Sequence, residues 1–443
     1  MATSERWWDR TFASFARPAF RTYYIGLLCN MAGFWLRIAA TNWFAYELTG
    51  SSASLGIITM AALLPWVPIA PIAGVWAERI DQRKYLLGVY LGVAIVNFIL
   101  AAGITAGYVA WNELLVATVL ISVLRGMELP ARHAIVRRIV DLRLLSNAIG
   151  LNAAGFHVMN AVGFAVAGVL YKFAGPDGCF YAVGASSLGM AIVLSRLELP
   201  PQAKPKETKH PLRELREGFA YVKTHALTRI LVICAMGMVG LLLSYRTLMP
   251  AIAKTRLGLD ADGYGTIMAI SGVGSFLAAI WVASGSGGPG RRVWNIFLTV
   301  WLGCLAVALI GWTDQVWLAT VGLFIAGFAA VGFMASANTT VQETVPDHLR
   351  ARVMGIWALI FGAAFPLGGL VQGFVAEAYG EAVPVIGGAV LAFVLSILLY
   401  ALTAKKLTVA VCHEVGERRE EELRADAIAA VEDAGSSKPG EGV

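Results

Sequence analysis

Seven stretches of this chain run past the ~20 apolar residues that a helix needs to cross hydrocarbon, and none of them contains an Asp, Glu, Lys or Arg. They are residues 48–77, 85–112, 144–171, 263–290, 315–342, 353–376 and 382–404. Residues 178–195 and 293–313 come close to that length. Three more spans emerge once an internal charge is admitted: 23–46 around Arg37, 114–129 around Arg125 and Glu128, and 230–252 around Arg246. The total is twelve. Charged residues are 14% of the chain and apolar residues 58%, whereas a soluble domain is about a quarter charged. That leaves too little polar material for the surface of a 443-residue soluble protein. The chain therefore reads as an all-α membrane protein.

Basic residues orient the spans. Of 35 Lys and Arg, the connections on one side hold three (Lys172, Lys254, Arg256), three lie within spans, and 29 remain for the other side. That side is predicted to be cytoplasmic and to hold both termini. The net charge of +6 is then a topology signal, and no nucleic-acid partner is needed to explain it. No cleavable leader is expected, because residues 1–21 carry Arg6, Arg10, Arg17 and Arg21 without an apolar core. Trp7, Trp8, Phe12 and Phe15 suit one face of a short interfacial helix. The five cysteines are dispersed with no metal-ligand spacing, so no metal and no cofactor are expected.

The chain contains a repeat of itself. Shifted by 205 residues, 130–175 runs over 335–380 without a gap, placing Gly150 on Gly355, Gly163 on Gly368, Gly168 on Gly373 and Gly175 on Gly380. A shift of 209 places Arg37 on Arg246 and Gly56 on Gly265. Six spans per half make the repeat parallel, a layout in which a substrate site lies between the halves near mid-membrane. The expected organisation is an interfacial segment (1–21), a six-helix bundle (22–198), a linker (199–225), a second bundle (226–404) and a tail (405–443). Within the linker, 200–206 is polar, and 210–223 is predicted helical with Leu212, Leu215, Phe219 and Val222 as an apolar stripe. The tail after Cys412 is acidic, with nine Asp and Glu against four Lys and Arg.

Four runs carry a resemblance: Tyr46-Glu47-Leu48-Thr49-Gly50-Ser51; Gly74-Val75-Trp76-Ala77-Glu78-Arg79-Ile80-Asp81-Gln82-Arg83-Lys84; Leu129-Pro130-Ala131-Arg132; and Val345-Pro346-Asp347-His348-Leu349-Arg350-Ala351-Arg352-Val353. Over residues 12 to 405 the chain resembles the enterobactin-exporter and macrolide-efflux branch of the major facilitator superfamily. The resemblance implies twelve helices in two pseudo-symmetric bundles, alternating access, and a cytoplasmic latch at Gly74, Glu78, Arg79, Asp81 and Arg83. Here Glu78 replaces the usual Asp and Gln82 a usual basic residue. The equivalent loop of the second half, from Ser284 to Arg292, has no acid. Phe164 stands where antiporters of the family commonly carry proline.

Charges inside spans are functional candidates, since burying them in a membrane is costly. Arg37 and Arg246 fall about fourteen and sixteen residues into spans one and seven, roughly 21–24 Å from the inner end at ~1.5 Å per residue. Arg125 is near mid-depth in span four, and Glu128, three residues on, shares its helix face. His157, Asn152 and Asn160 add polar groups to span five, and Trp35 and Tyr245 could line an apolar pocket. Two readings stand for the arginines: a positive lining for an anionic or carbonyl-rich substrate, or a structural role in which each bonds backbone carbonyls or a nearby acid and locks a helix. Gly163, Gly168, Gly368 and Gly373, five residues apart in each pair, suit close helix packing in lipid. With no phosphate-cradling loop, the expected activity is efflux of a bulky amphipathic small molecule (siderophore, drug or lipid-like) driven by protons or another ion. Import of a siderophore or lipid-like nutrient, and a non-transporting receptor or scaffold, are the alternatives. The chain is read as a non-enzyme and a monomer in the inner membrane, in contact with lipid.

Overall fold

The computed structural model describes residues 13–197, 199, 211–284, 289–402 and 409, and among them the chain is helical with no strand. Ten helices are long and apolar enough to cross a membrane. One of these, Leu142–Arg196, is 55 residues long and kinks at Gly175, where φ is 67°. A left-handed φ costs glycine little, so this residue lets one helix leave and the next begin. Gly380, its repeat mate, makes a turn of the same kind with φ 83°. Counting the two arms separately and adding the 32-residue helix Pro18–Thr49 gives twelve passes among the described residues.

The first half comprises α1 (Pro18–Thr49), α2 (Ser52–Leu63 and Trp66–Arg79), α3 (Gln82–Thr105), α4 (Trp111–Ile139), and α5 and α6, the arms of Leu142–Arg196 before and after Gly175. The second comprises α7 (Ala226–Gly237, Met238–Leu243, Tyr245–Thr255), α8 (Ala261–Ala283), α9 (Pro289–Trp312), α10 (Val316–Thr344), α11 (Asp347–Leu359, Ile360–Ala364, Phe365–Tyr379) and α12 (Ala382–Leu402). The end where α1 begins is the linker end, and the end where α1 turns into α2 through Gly50 is the hairpin end. α2 breaks at Leu64 and Pro65, where Pro65 has no backbone N–H to donate, and the helix resumes at Trp66 and continues through Pro68 and Pro71.

Small residues set the packing. Within halves, a Cβ on Gly163 would stand 2.5 Å from the Trp35 Cβ, so α5 lies hard against α1. Its repeat mate Gly368 meets Gly240 and Ser244 on α7 just as tightly. Between halves, a Cβ on Gly373 would be 2.8 Å from the Ser52 oxygen, and one on Gly56 would be 2.9 Å from the Gly369 oxygen. Gly168 and Gly265 pair α5 with α8 in the same way, with a Cβ on Gly168 only 3.0 Å from the Asp262 Cα. Lipid gives no hydrophobic drive to helix association, so close backbone contact of this kind is what holds such helices together.

The linker helix, Pro211–Thr224, docks on α11: Arg352 pairs with Glu217 at 2.6 Å, and Gly218 packs against the Arg352 backbone. Its buried residues here are Gly218, Tyr221 and Val222, while Phe219 is 50% exposed. The docked face is thus rotated from the expected stripe, because the glycine allows closer approach than a phenylalanine would. Leu212 and Leu215 have side chains outside the described residues, as do the polar linker 200–206, segment 1–12 with Trp7, Trp8 and Phe12, and the tail apart from residue 409. Phe15 packs edge-on against Phe20 and Tyr24 of α1, at 5.8 and 5.2 Å between ring centres.

Candidate substrate and coupling site

Three charges fall on one face of α4, at intervals of three and four residues: Arg125, Glu128 and Arg132. Arg125 Nη1 donates to Glu128 Oε2 at 2.6 Å, and Arg132 Nη1 to Glu128 Oε1 at 3.3 Å. The Tyr90 hydroxyl of α3 donates to the same Oε1 at 2.9 Å. Asn30 on α1 accepts from Arg125 Nη1 at 2.9 Å and passes its own N–H to the Ser187 hydroxyl of α6 at 3.3 Å. Four helices of the first half are tied by this network. Glu128 and Arg125 are only 5% and 4% exposed, so neither charge is solvated by bulk water. Removing one partner of such a pair strands the other, at a cost of about 3–5 kcal/mol.

Sequence reasoning found Arg125 and Glu128 but left Tyr90, Asn30, Ser187 and Arg132 out of the site. Arg132 was within reach, since it sits one helical turn from Glu128. The other three come from other helices, and nothing in their local sequence sets them apart.

Arg37 lies on α1, one turn from Phe34, and is 2% exposed. Its guanidinium carbon is 5.9 Å from the centre of the Phe34 ring, and that of Arg125 is also 5.9 Å from it. Arg246, on α7, donates from Nη2 to the Ser271 hydroxyl of α8 at 2.9 Å. The repeat mates thus differ: position 271 corresponds to Ala62 in the first half, which offers Arg37 no hydroxyl. His157 on α5 is half-buried, edge-on to Phe156 at 5.9 Å, and within electrostatic reach of Arg246 across the halves. Trp35 packs on Phe156 and Phe164, at 5.1 and 5.9 Å between ring centres. Asn160 is buried, Asn152 half-buried and Tyr245 buried, and the side-chain oxygens of all three lack hydrogen-bond partners.

At the hairpin end the halves are joined by polar contacts as well as by glycines. Lys172 pairs with Asp262 at 2.6 Å. Glu377 of α11 accepts from the Ser51 hydroxyl at 2.9 Å and from the Ala53 N–H at 3.2 Å, capping the start of α2 across the interface. Trp43 stacks on Tyr264 at 5.4 Å, and Trp43 and Tyr171 both donate to Glu47. The structure is closed at this end.

The latch run lies at the linker end. Asp81 caps α3 by accepting from the Lys84 N–H at 3.0 Å, and Arg83 donates to the Ser195 carbonyl of α6. A Cβ on Gly74 would meet nothing within 4 Å, so this glycine stands beside open space. The side chains of Glu78 and Arg79 lie outside the described residues. No cluster of metal-ligating side chains occurs among the described residues.

Two six-helix bundles built on one repeat, crossing at paired glycines, define a transporter of the major facilitator class. The chain matches the transmembrane secretion effector family over residues 9–425 and belongs to it. It is 26% identical over 360 residues to the multidrug efflux pump Tap of Mycolicibacterium fortuitum, covering 79% of this chain and 87% of that one. It is 23% identical to the staphyloferrin A transporter of Staphylococcus aureus, with the same coverage of 79% and 87%. Macrolide efflux protein A of Streptococcus pyogenes is 20% identical, over 77% of this chain and 85% of its own. Among solved structures, the nucleoside transporter NupG superposes with a TM-score of 0.71 at 17% identity, over 86% of this chain and 98% of that one, a likeness of fold. The protein is a multi-pass membrane transporter, and its relatives are transporters and not enzymes.

Proposed function

We propose that this chain exports a bulky amphipathic small molecule across a bacterial inner membrane by alternating access, driven by a proton gradient. The observation that carries the reading is Glu128, the one buried carboxylate among the described residues, held between Arg125 and Arg132. A lone acid within a span, bonded to a cation that can also serve a substrate, is what exchange of a proton for a substrate requires. Protonating Glu128 releases Arg125 to the substrate; ionising it recaptures Arg125 and expels the substrate. The names of the efflux relatives support the outward direction.

In this reading the hairpin end faces outside and the linker end, with both termini, faces the cytoplasm. Glu78 and Arg79 then form the latch that closes the linker end in the other half of the cycle. It acts as a monomer surrounded by lipid. The deciding experiment uses everted membrane vesicles with an imposed pH gradient and a fluorescent drug as cargo. Wild-type protein accumulates the drug, and Glu128→Gln binds it without concentrating it. Uphill transport by Glu128→Gln with unchanged pH dependence would place the coupling group elsewhere, with Glu47 and His157 next to be tested. Uptake only in right-side-out vesicles would establish import.

A further inference from the structure

We infer that Arg37 and the free edge of Arg125 form an oxyanion site, with Phe34 as its aromatic platform, for a carboxylate or phosphate group on the transported molecule. The inference rests on the transport reading and names the substrate class.

Each guanidinium carries five N–H donors. Arg125 uses only Nη1, for Asn30 and Glu128; its Nε and Nη2 are buried with no hydrogen-bond partner. Those two atoms form the side-on edge of the guanidinium, the pair of parallel N–H groups that grips a carboxylate or phosphate at two points. Arg37 is 2% exposed, has no ion pair among the described residues, and its Nε also lacks a partner. Both guanidinium carbons stand 5.9 Å from the centre of one ring, Phe34, which gathers two unfilled cationic edges about a single aromatic side chain. A helix-locking arginine would be bonded to a backbone carbonyl or an acid. Arg246 shares the unpartnered Nε but differs at Nη2, which Ser271 answers at the position that corresponds to Ala62 in the first half.

The surroundings lean the same way. Trp35 and Trp66, whose rings touch Phe34, each leave the indole N–H buried and unpartnered. Around Phe34 there are thus five unanswered N–H-bearing nitrogens: Arg37 Nε, Arg125 Nε and Nη2, Trp35 Nε1 and Trp66 Nε1. In charge, Arg125 and Arg132 share the single buried acid Glu128, and Arg37 has no acid of its own among the described residues. Donors and positive charge in surplus beside aromatic rings are completed by an oxyanion on a flat apolar body. A cationic drug would add to the charge that already lacks an answer.

The test is equilibrium binding of radiolabelled naphthoate to the full chain in phosphatidylcholine nanodiscs, beside naphthalene carboxamide, its neutral isostere. Wild-type protein should bind naphthoate saturably and the carboxamide about tenfold or more weakly, the difference of one charge-assisted bidentate contact. Arg37→Gln should weaken naphthoate by about tenfold while leaving the carboxamide unchanged, a split that mere loss of packing would not produce. Arg125→Gln risks misfolding, so it is paired with Glu128→Gln to keep the network neutral, and the double variant should lose the same preference. Equal affinity for the two probes, or an Arg37→Gln variant that keeps the preference, would overturn the site. Competition by added phosphatidylglycerol would assign the edge to a lipid headgroup and overturn a soluble ligand. Because binding is read without transport, export of a cationic dye by protein that ignores naphthoate would sink this site and leave the transport reading standing.

Discussion

Gly265 and Gly168 meet so closely that a Cβ built on Gly265 would stand 2.7 Å from the Gly168 Cα, and the repeat carries this contact over to Gly56 and Gly373. A pair of glycines on each side of the pseudo-symmetric molecule lets the halves touch backbone to backbone at the hairpin end. Replacing Gly265 by Leu must therefore separate α8 from α5. Overpacking costs about 1–3 kcal/mol, which moves the equilibrium away from the closed hairpin end by roughly tenfold. Cysteines placed at Lys172 and Asp262 measure this: a short bifunctional thiol reagent should cross-link them readily in the parent and at least several-fold more slowly with Gly265→Leu.

Glu377 caps α2 from the opposite half, through the Ser51 hydroxyl and the Ala53 N–H. A carboxylate at a helix N-terminus contributes up to about 1 kcal/mol, less where water screens it, as here. Glu377→Gln should therefore loosen the hairpin end without unfolding the chain. The expected signs are an unchanged melting temperature in detergent and a severalfold faster reaction of a cysteine at Ser52 with an impermeant thiol reagent. A slower reaction would show that the cap does not hold the closed state.

The Arg125–Glu128 pair should be worth more as a pair than either member alone. Arg125→Leu leaves Glu128 buried with only the 3.3 Å contact to Arg132 and the Tyr90 hydroxyl, so a loss of about 3–5 kcal/mol is expected. Arg125→Leu with Glu128→Leu removes both charges and should recover much of that loss. Thermal unfolding of the three proteins measures the coupling. Additive losses would mean that water already solvates the pair.

Ala62→Ser supplies, at the position in the first half that corresponds to Ser271, the hydroxyl that Arg246 has and Arg37 lacks. One hydrogen bond to a charged donor contributes about 1.5–3 kcal/mol at most, so the variant should be modestly more stable. Filling a donor of Arg37 should also slow transport. Melting temperature and initial transport rate, measured on the same preparation, should move in opposite senses. A faster variant would argue that Arg37 does not face the substrate.

Glu78→Ala with Arg79→Ala should abolish transport while expression and melting temperature hold, as expected of residues that act in only one conformation. Full activity would reduce the run from Gly74 to Lys84 to a topogenic basic loop. Orientation is checked separately: a cysteine at Gln202 should react only with permeant reagents and one at Asp314 with impermeant ones.

The repeat told more of this fold than any single motif. Because Gly163 and Gly168 recur at Gly368 and Gly373, their spacing could be read before any contact was known. The structure then divides their work, the first of each pair packing α5 on α1 or α11 on α7, the second joining the halves. The site was less legible. Arg125 and Glu128 stood out because charges within a span are rare, but Tyr90, Asn30 and Ser187 are ordinary residues until three helices bring them to α4. Arg37 and Arg246 looked equivalent in sequence, and only their neighbours separate them.

By itself the sequence determined the membrane-spanning class, the count of passes and the two-fold internal repeat, because each depends on local hydrophobicity and spacing along the chain. It also singled out the charges inside the spans. The tertiary structure alone decided which end is closed, which cation pairs with which acid, and which guanidinium edges stay unfilled. Those depend on distances of a few ångströms between helices remote in sequence, and hydropathy carries no information about such distances.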